Sequence, residues 1–308
     1  MVQLKKKLRL SRSSTFGYIL ILLGLLFVTI PLIRRSYKDY SAIANKKNFE
    51  EVQANRSKEE VDQETKNAEE YNETVRNSDI TVVDPFTAED YQNKYAKFTQ
   101  TNTPFAYLSI PKLDKHLPLY LDATLEHISM GVAQVDGSSI PIGGLGNRSV
   151  IAGHRGWWGD TMFLYLDQLE AGDYVYVERA EETMRYVVRD KEVIGPYDWD
   201  KLAPRGDDDI LTLMTCEPFL PPRPNRLLVN SYRDERGITE EFDIPGKDLP
   251  MSIADEESNR SQKADNIVKI TRIATLVFSI LGTILFILVL VRFIRRIKNT
   301  ISTQSAIE

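Results

Sequence analysis

Two long apolar runs lie near the ends of the chain, and short alternating segments lie between them. Residues 16–33 (FGYILILLGLLFVTIPLI) and 273–291 (IATLVFSILGTILFILVLV) contain no charged side chain. At about 1.5 Å per helical residue, each run is long enough to cross the hydrocarbon core of a bilayer. The pattern predicts two transmembrane helices. The alternatives are a buried core helix for either run, and a cleaved signal peptide for the first.

The part of the chain between the two spans divides into a polar region and a β-rich region. Residues 34–80 are rich in Lys, Glu, Asn and Gln, which predicts one or two polar helices that hold the rest of the chain off the membrane. From Phe105 onward, segments rich in Val, Ile, Leu, Tyr and Thr alternate with Gly, Pro and Asp. The predicted strands are Phe105–Ile110, Leu117–Leu121, Ser149–Ala152, Tyr174–Glu178, Met184–Arg189, Ile210–Thr215 and Arg226–Tyr232, with a short helix at Thr161–Glu170. Short strands in this number predict a mainly β fold, either a closed barrel or a sandwich.

The distribution of charged residues predicts how the two spans are oriented in the membrane. The first 38 residues hold eight basic side chains and no acidic one, and the second span is followed by Arg292, Arg295, Arg296 and Lys298. Because basic residues remain on the cytoplasmic side, both termini are expected in the cytoplasm and residues 34–272 outside. The remainder of the chain is strongly acidic, which argues against nucleic acid as a partner.

These observations divide the chain into eight segments. The expected segments are a cytoplasmic tail (1–15), a transmembrane or signal-anchor helix (16–33), a polar helical region (34–80), a segment leading into the β domain (81–104), the β domain (105–235), an acidic linker (236–272), a transmembrane helix (273–291) and a cytoplasmic tail (292–308).

The candidate chemistry begins with Cys216, which is the single cysteine of the sequence and ends a predicted strand. A thiol nucleophile needs a base or a cation nearby, because a free thiol is mostly protonated at neutral pH. Among three histidines, His154 is preferred: it ends a strand between glycines, whereas His116 and His127 lie in polar, loop-like sequence. Arg226 opens the next strand, and a hairpin would bring it beside Cys216 to stabilise an oxyanion. Each residue also has a structural alternative: a buried thiol, a loop histidine or a surface ion pair.

Several motifs carry a resemblance to a known family. Leu213-Met214-Thr215-Cys216, followed by Arg226-Leu227-Leu228-Val229, resembles the active-site signature of the sortases, and Ala152-Gly153-His154-Arg155-Gly156 resembles their histidine segment. Asp84-Pro85-Phe86 resembles the lid motif of the pilus-building class C sortases, in which a C-terminal membrane span is also typical. The resemblance covers the chain from about Phe105 to Arg233.

The resemblance implies a closed sortase-type β-barrel of about eight strands with short helices. It implies a Gram-positive cysteine transpeptidase, with catalytic His154, Cys216 and Arg226, that cleaves an LPXTG-like signal of a pilin and transfers the acyl group to a lysine of another pilin. It implies no metal and no cofactor; the run Asp207-Asp208-Asp209 could collect a cation but is typical of a solvated turn. The alternatives are a sortase that anchors proteins to cell-wall peptide, a non-catalytic membrane-tethered adhesin or scaffold, and a plain cysteine peptidase.

The sequence departs from the family pattern directly after the cysteine. A small residue, a proline, an aromatic residue and a glycine are usual there, whereas Cys216 is followed by Glu217 and a longer loop without glycine. Arg223, in that loop, therefore competes with Arg226 for the arginine role.

The resemblance further implies that the lid motif closes the site. Asp84 would form an exposed ion pair with Arg226, and Phe86 would cover Cys216. The alternative for this segment is a helix cap before a helix starting near Thr87.

Overall fold

The computed structural model describes residues 12–78, 82–86, 103–156, 160–180, 182–234 and 252–305. The chain divides into two compact units, one made of Met1–Asp39 and Ile270–Glu308, the other of Tyr40–Lys269. In the described residues, the α-helices are α1 (Arg12–Ala54), α2 (Lys58–Asn77), α3 (Leu125–Met130) and α4 (Ser252–Ser305). The strands are β1 (Ala106–Ile110), β2 (Lys115–Leu121), β3 (Val132–Gln134), β4 (Arg148–Ala152), β5 (Tyr174–Arg179), β6 (Glu182–Ile194), β7 (Ile210–Glu217) and β8 (Asn225–Arg233).

The first unit contains the two apolar helical segments. Ser14–Ala54 of α1 and Ile270–Asn299 of α4 are long and apolar enough to cross a membrane by length and composition. The ring of Tyr18 stacks on that of Phe293, with 5.3 Å between the ring centroids, and Thr29 faces Gly282. Residue numbers rise along one helix as they fall along the other, so the two segments pack antiparallel.

Gly282 lets the two helices approach each other closely. A Cβ atom at this position would lie 2.5 Å from Cγ2 of Thr29, so the contact requires the absence of a side chain. Small residues at the contact are what close packing between apolar helices needs, since lipid tails compete equally well for large apolar side chains.

We predict that Gly282→Leu separates this helix pair, whereas Gly24→Leu, at a position with open space around the glycine, does not. The measurement is thiol cross-linking between cysteines placed at Tyr18 and Phe293 in a Cys216→Ser background. The cross-linked fraction is expected to fall with Gly282→Leu and to persist with Gly24→Leu. Equal cross-linking in both variants would contradict a contact that depends on Gly282.

The second unit is built around a closed barrel with the strand order β1-β2-β3-β4-β7-β8-β6-β5. Strand β5 pairs back onto β1, and most neighbours are antiparallel, but β2–β3 and β4–β7 are parallel. One apolar core cluster takes side chains from all eight strands. A second cluster uses the opposite face of β4 and β7, through Val150, Ala152 and Met214. Strands β4 and β7 are therefore buried on both faces, which holds their ends rigidly.

The mainly β, closed eight-stranded barrel confirms the predicted fold class. The seven predicted strands are present, and their bounds shift by one or two residues, except that β6 continues to Ile194. Strand β3 and helix α3 were missed, because three residues and six residues are too short to show a period. The predicted helix at Thr161–Glu170 is wrong: the segment forms turns and one 3₁₀ turn, since Met162 has a left-handed φ of 37° that an α-helix cannot include.

Helix α2 is packed on the barrel and does not act as a free polar spacer. It starts with a capping box between Ser57 and Glu60 and buries Ala68, Tyr71 and Val75 in the main core cluster. The side-chain amide of Asn72 bonds to both the N–H and the carbonyl of Ile140, at 2.7 and 3.0 Å. Helix α2 is therefore one of the predicted polar helices, and its apolar face packs into the core of the barrel.

Candidate active site

Strand β7 carries Cys216 to one end of the barrel. The residues Ile210–Thr215 are buried, whereas Cys216 and Glu217 are half-buried, so the strand emerges from the core at the thiol. On the antiparallel neighbour β8, Arg226 lies directly opposite Cys216 in register. Because register partners have Cβ atoms roughly 4.5–5.5 Å apart, the pairing puts the base of the arginine side chain beside the thiol.

Strand β4 carries His154 to the same end. The parallel pairing of β4 and β7 ends at Ala152 and Met214, and His154 and Cys216 each follow two residues later. The ends of β4 and β7 remain hydrogen-bonded beyond the ladder. Gly153 N–H donates to the Met214 carbonyl at 3.1 Å, and Thr215 Oγ1 donates to the Gly153 carbonyl at 2.8 Å.

Gly153 is required by the close packing under this segment. A Cβ atom there would lie 2.6 Å from the ring of Phe163. The glycine before His154 therefore lets the histidine segment lie flat on the core.

Arg226 is buried, with 1% of its surface exposed. Its Nη1 donates to the carbonyl oxygens of Arg223, Pro224 and Asn225 at 2.8–3.3 Å. Its Nε and Nη2 both face Asp84, at 3.3 and 2.6 Å. One edge of the guanidinium is thus fixed by the loop before β8, and the other edge binds a carboxylate.

Arg223, the competing arginine, donates hydrogen bonds within its own loop and to the histidine segment. Its Nε and Nη2 donate to the Phe219 carbonyl at 3.1 and 2.7 Å, and its Nη1 donates to the Arg155 carbonyl at 3.3 Å. It stabilises the shape of the β7–β8 loop, whereas Arg226 is the register partner of Cys216. Of the two arginines, Arg226 is thus the one whose backbone lies directly opposite Cys216.

The lid segment, residues 82–86, lies over His154 and Arg226. The ring of Phe86 lies 5.2 Å from the guanidinium carbon of Arg226 and 5.7 Å, centroid to centroid, from the ring of His154. On the other side, Val82 is buried in the second core cluster and Val83 N–H donates to the Asp136 carbonyl at 3.3 Å. The segment is thus anchored at its start, and its Asp84 and Phe86 side chains contact Arg226 and His154; the alternative helix near Thr87 lies outside the described residues.

The contact between Asp84 and Arg226 corrects one expectation. The sequence predicts an exposed pair, but the two side chains are 3% and 2% exposed. Exposed pairs contribute about 0–1 kcal/mol, whereas removing one partner of a buried pair typically costs about 3–5 kcal/mol. A buried Arg226 guanidinium without Asp84 would therefore need another anion or water as its partner.

Comparisons with known proteins agree with this architecture. The Sortase domain family matches residues 108–234. Sortase C-3 of Streptococcus pneumoniae is 36% identical, with 65% of this chain and 90% of that chain covered and a TM-score of 0.56. The chain belongs to the sortase family. A Streptococcus pneumoniae Sortase C whose structure concerns catalysis and pilin substrate specificity is 28% identical, over 63% of this chain and 97% of that chain, with a TM-score of 0.57.

The curated relatives match a shorter segment. Sortase A of Bacillus anthracis is 29% identical over 109 residues, which are 35% of this chain and 50% of that protein. The chain therefore spans about half the length of this curated sortase.

The other histidines of this sortase-family chain have structural contacts of their own. His116 lies in β2 and its Nδ1 is 2.8 Å from Ser109 Oγ. His127 lies in α3, is 3% exposed, binds the Asp122 carbonyl through Nδ1 at 2.7 Å and stacks on Tyr120. The expectation of loop-like surroundings is wrong for both residues, since β2 begins two residues before the predicted strand and helix α3 is too short to show a period.

The acidic run before β7 also has structural contacts. The carboxylate of Asp209 accepts hydrogen bonds from Tyr186 Oη at 3.2 Å and from Gly144 N–H at 2.9 Å. Among the described residues, no group of three or more His, Cys, Asp or Glu side chains is arranged to hold a metal ion.

Burial dominates the electrostatics of the closed site. Burial raises the pKa of the Cys216 thiol, the Asp84 carboxylate raises it further, and the Arg226, Arg223 and Arg155 guanidinium groups oppose this. Burial and then the charge of Arg223 lower the pKa of His154 to about 4. With the lid closed, both the thiol and the imidazole are therefore neutral at neutral pH.

We predict that replacing both Asp84 and Phe86 with alanine exposes and activates the thiol. Burial and the Asp84 carboxylate both raise the pKa of Cys216, so their removal moves thiolate formation to lower pH. The rate of labelling by a methanethiosulfonate reagent should rise at neutral pH, and its pH midpoint should fall. Asp62→Ala on the exposed face of α2 is the control, and the same rate in the lid variant and this control would indicate that residues 84–86 do not gate the site.

We also predict that Arg226→Ala lowers kcat/KM on a sorting peptide by about 100-fold, as for the loss of one oxyanion donor. Arg223→Ala should have a much smaller effect, because Arg223 binds the Phe219 and Arg155 carbonyls and is not the register partner of Cys216. Both variants are compared in the alanine lid background, after circular dichroism shows that each is folded. If Arg223→Ala has the larger effect, the oxyanion role belongs to the loop arginine.

Proposed function

We propose that this protein is a membrane-anchored class C sortase, a cysteine transpeptidase that polymerises pilin subunits. The observation that carries the proposal is the insertion of Asp84 and Phe86 over Arg226 and His154, at the end of the barrel where Cys216 emerges. A carboxylate held against the arginine opposite the thiol occupies the place where a reaction oxyanion would bind. A lid of this kind matches an enzyme that must be opened by a large protein substrate.

In the first half of the proposed reaction, the Cys216 thiolate attacks the threonine carbonyl carbon of an LPXTG-like sorting signal. The carbonyl oxygen becomes an oxyanion that the Arg226 guanidinium stabilises. When the carbon–nitrogen bond breaks, the His154 imidazolium gives its proton to the leaving amine, and a thioester remains on Cys216. Opening the lid raises the pKa of His154 and lowers that of Cys216, because both groups then regain solvent.

In the second half, a lysine amine of another pilin attacks the thioester carbonyl. Neutral His154 takes the proton of the attacking amine, the new carbon–nitrogen bond forms, and the carbon–sulfur bond breaks to return the thiolate. The product is an isopeptide bond between two subunits. Repetition gives a covalent polymer in which each step restores the enzyme.

The two apolar helices support a location at the cell membrane. Because they pack antiparallel, two spans would place both chain termini on one face. The flanking basic residues favour the cytoplasm for these termini, which leaves the barrel on the extracellular side with its pilin substrates.

The proposed function is tested with the full chain in detergent, a purified pilin with an LPXTG-like signal, and a wall-peptide amine as a competitor. The expected result is an SDS-resistant ladder of pilin, which Cys216→Ala abolishes while the fold is kept. Ladder formation at an undiminished rate by Cys216→Ala would overturn the catalytic assignment. Preferential attachment to the wall peptide would indicate anchoring instead, and release of free acid that added amine does not divert would indicate a peptidase.

We predict that His154→Ala lowers the transpeptidation rate by on the order of 100- to 10,000-fold, as expected for loss of a general acid–base. His116→Ala should retain most of the activity, because its ring bonds to Ser109 on another pair of strands. His127→Ala should lower the melting temperature, because this ring is buried, but the folded enzyme should remain active. Initial rates measured below the melting temperature of each variant distinguish these cases, and a slow His116→Ala with an active His154→Ala would reverse the assignment.

A further inference from the structure

Arg155, the residue after His154, connects the histidine segment to the cysteine strand. It is buried, with 4% of its surface exposed. Its Nη1 donates to the backbone carbonyl of Cys216 at 3.2 Å and forms an ion pair with the carboxylate of Glu217. Its Nη2 forms an ion pair with Asp167 at 3.0 Å. One planar guanidinium thus holds three acceptors from two different segments.

The position of this contact matters because the sheet ends just before it. The ladder between β4 and β7 stops at Ala152 and Met214, so ladder hydrogen bonds no longer fix the distance between the two strands at His154 and Cys216. Beyond this ladder end, the ion pair of Arg155 with Glu217 is one connection between the two segments, and the hydrogen bond from Arg155 to the Cys216 carbonyl is another. It acts at the residue that bears the thiol and is made by the residue next to the imidazole.

The surroundings hold Arg155 in place from both sides. Its backbone carbonyl accepts a hydrogen bond from Arg223, and its guanidinium carbon lies 5.4 Å from the centre of the Phe219 ring. Glu217, which stands where the family pattern has a small residue, supplies the countercharge next to the cysteine. The departure from the family pattern thus has a structural partner in Arg155.

We propose that Arg155, together with Glu217, is a positioning residue that sets the distance and orientation between the Cys216 thiol and the His154 imidazole. This inference rests on the proposed function, because it assigns a role in the same transfer reaction. It does not require Arg155 to touch substrate. Misplacement of reacting groups by about 1 Å can lower the rate on the order of 100-fold. The contacts of a single arginine at the end of the ladder can therefore affect the rate.

Lysine cannot replace arginine in this role, because an ammonium group on a flexible stem lacks the planar fork that reaches several acceptors together. Arg155→Lys keeps the positive charge near the thiol but loses the fork, and Arg155→Met loses both. Since the Arg155 charge lowers the pKa of Cys216, the two variants separate position from charge. Arg205→Lys is the matched control, because Arg205 also pairs with a glutamate, Glu192, but on strand β6.

The test uses the full chain in detergent with Asp84 and Phe86 replaced by alanine, a fluorogenic LPXTG-like peptide and an amine acceptor. With Arg155→Lys, kcat should fall by about 10- to 100-fold while KM changes little, and the pH midpoint of Cys216 labelling should stay near that of the parent. With Arg155→Met, kcat should fall at least as far and the labelling midpoint should rise. Arg205→Lys should match the parent in both measurements.

Three outcomes would overturn the inference. A kcat for folded Arg155→Lys equal to that of the parent would show that the fork is not needed. A loss of melting temperature with unchanged kcat and unchanged labelling would show a structural role only. A rise in KM with constant kcat would indicate that Arg155 contacts substrate instead. Failure of the proposed function is distinguishable, because the parent itself would then transfer no peptide to the amine acceptor, or Cys216→Ala would be as active as the parent in the same assay.

Discussion

The candidate site depends on the position of β7 between a parallel and an antiparallel neighbour. Parallel pairing with β4 brings the ends of both strands to the same edge, so His154 and Cys216 emerge together. Antiparallel pairing with β8 brings the start of that strand to the same edge, so Arg226 lies opposite Cys216. Three side chains from distant parts of the sequence therefore meet because of strand direction and register. A shift of one residue in either pairing would turn one of them to the other face.

Burial at this edge of the sheet keeps the Cys216 thiol and the His154 imidazole neutral. The buried pair of Asp84 and Arg226 satisfies an arginine that would otherwise lack a countercharge in a dry environment. The same carboxylate raises the pKa of the cysteine, so in the proposed function the lid would block access to the thiol and suppress the thiolate together. A substrate that supplies its own oxygen to Arg226 can replace Asp84 without leaving the arginine unpaired. In the proposed function, the lid and the substrate therefore compete for the Arg226 guanidinium. Val82 and Val83 anchor the lid on the barrel.

Much of this arrangement was predictable from local sequence pattern. Apolar alternation found seven of the strands, and the strand-end position of Cys216 with the glycines around His154 indicated the site. The pattern could not give the strand order, because pairing of β4 with β7 joins residues about 60 positions apart. Strand β3 and helix α3 were too short to detect, and Met162 interrupts the expected helix by its backbone conformation.

The burial of the lid pair and the role of Arg155 were also beyond the sequence. Asp84 and Arg226 are 142 positions apart, and the family resemblance suggested their ion pair but could not show that the barrel and the lid bury it. Arg155 was visible as part of the histidine motif, but only the structure shows that its guanidinium turns to the Cys216 carbonyl. The one signal that could have pointed to it was Glu217, a charged residue in a place where the family has a small one.

In the proposed function, Cys216 forms a thioester in a groove that the lid shares with the substrate. The most direct measurement is the intact mass of the full chain after incubation with an LPXTG-like peptide in the absence of an amine acceptor, followed by peptide mapping. We expect an acyl adduct on the peptide that contains Cys216, which hydroxylamine removes and which forms more rapidly when Asp84 and Phe86 are alanine. No adduct on Cys216, in a lid variant whose thiol is readily labelled by a methanethiosulfonate reagent, would contradict the proposed function.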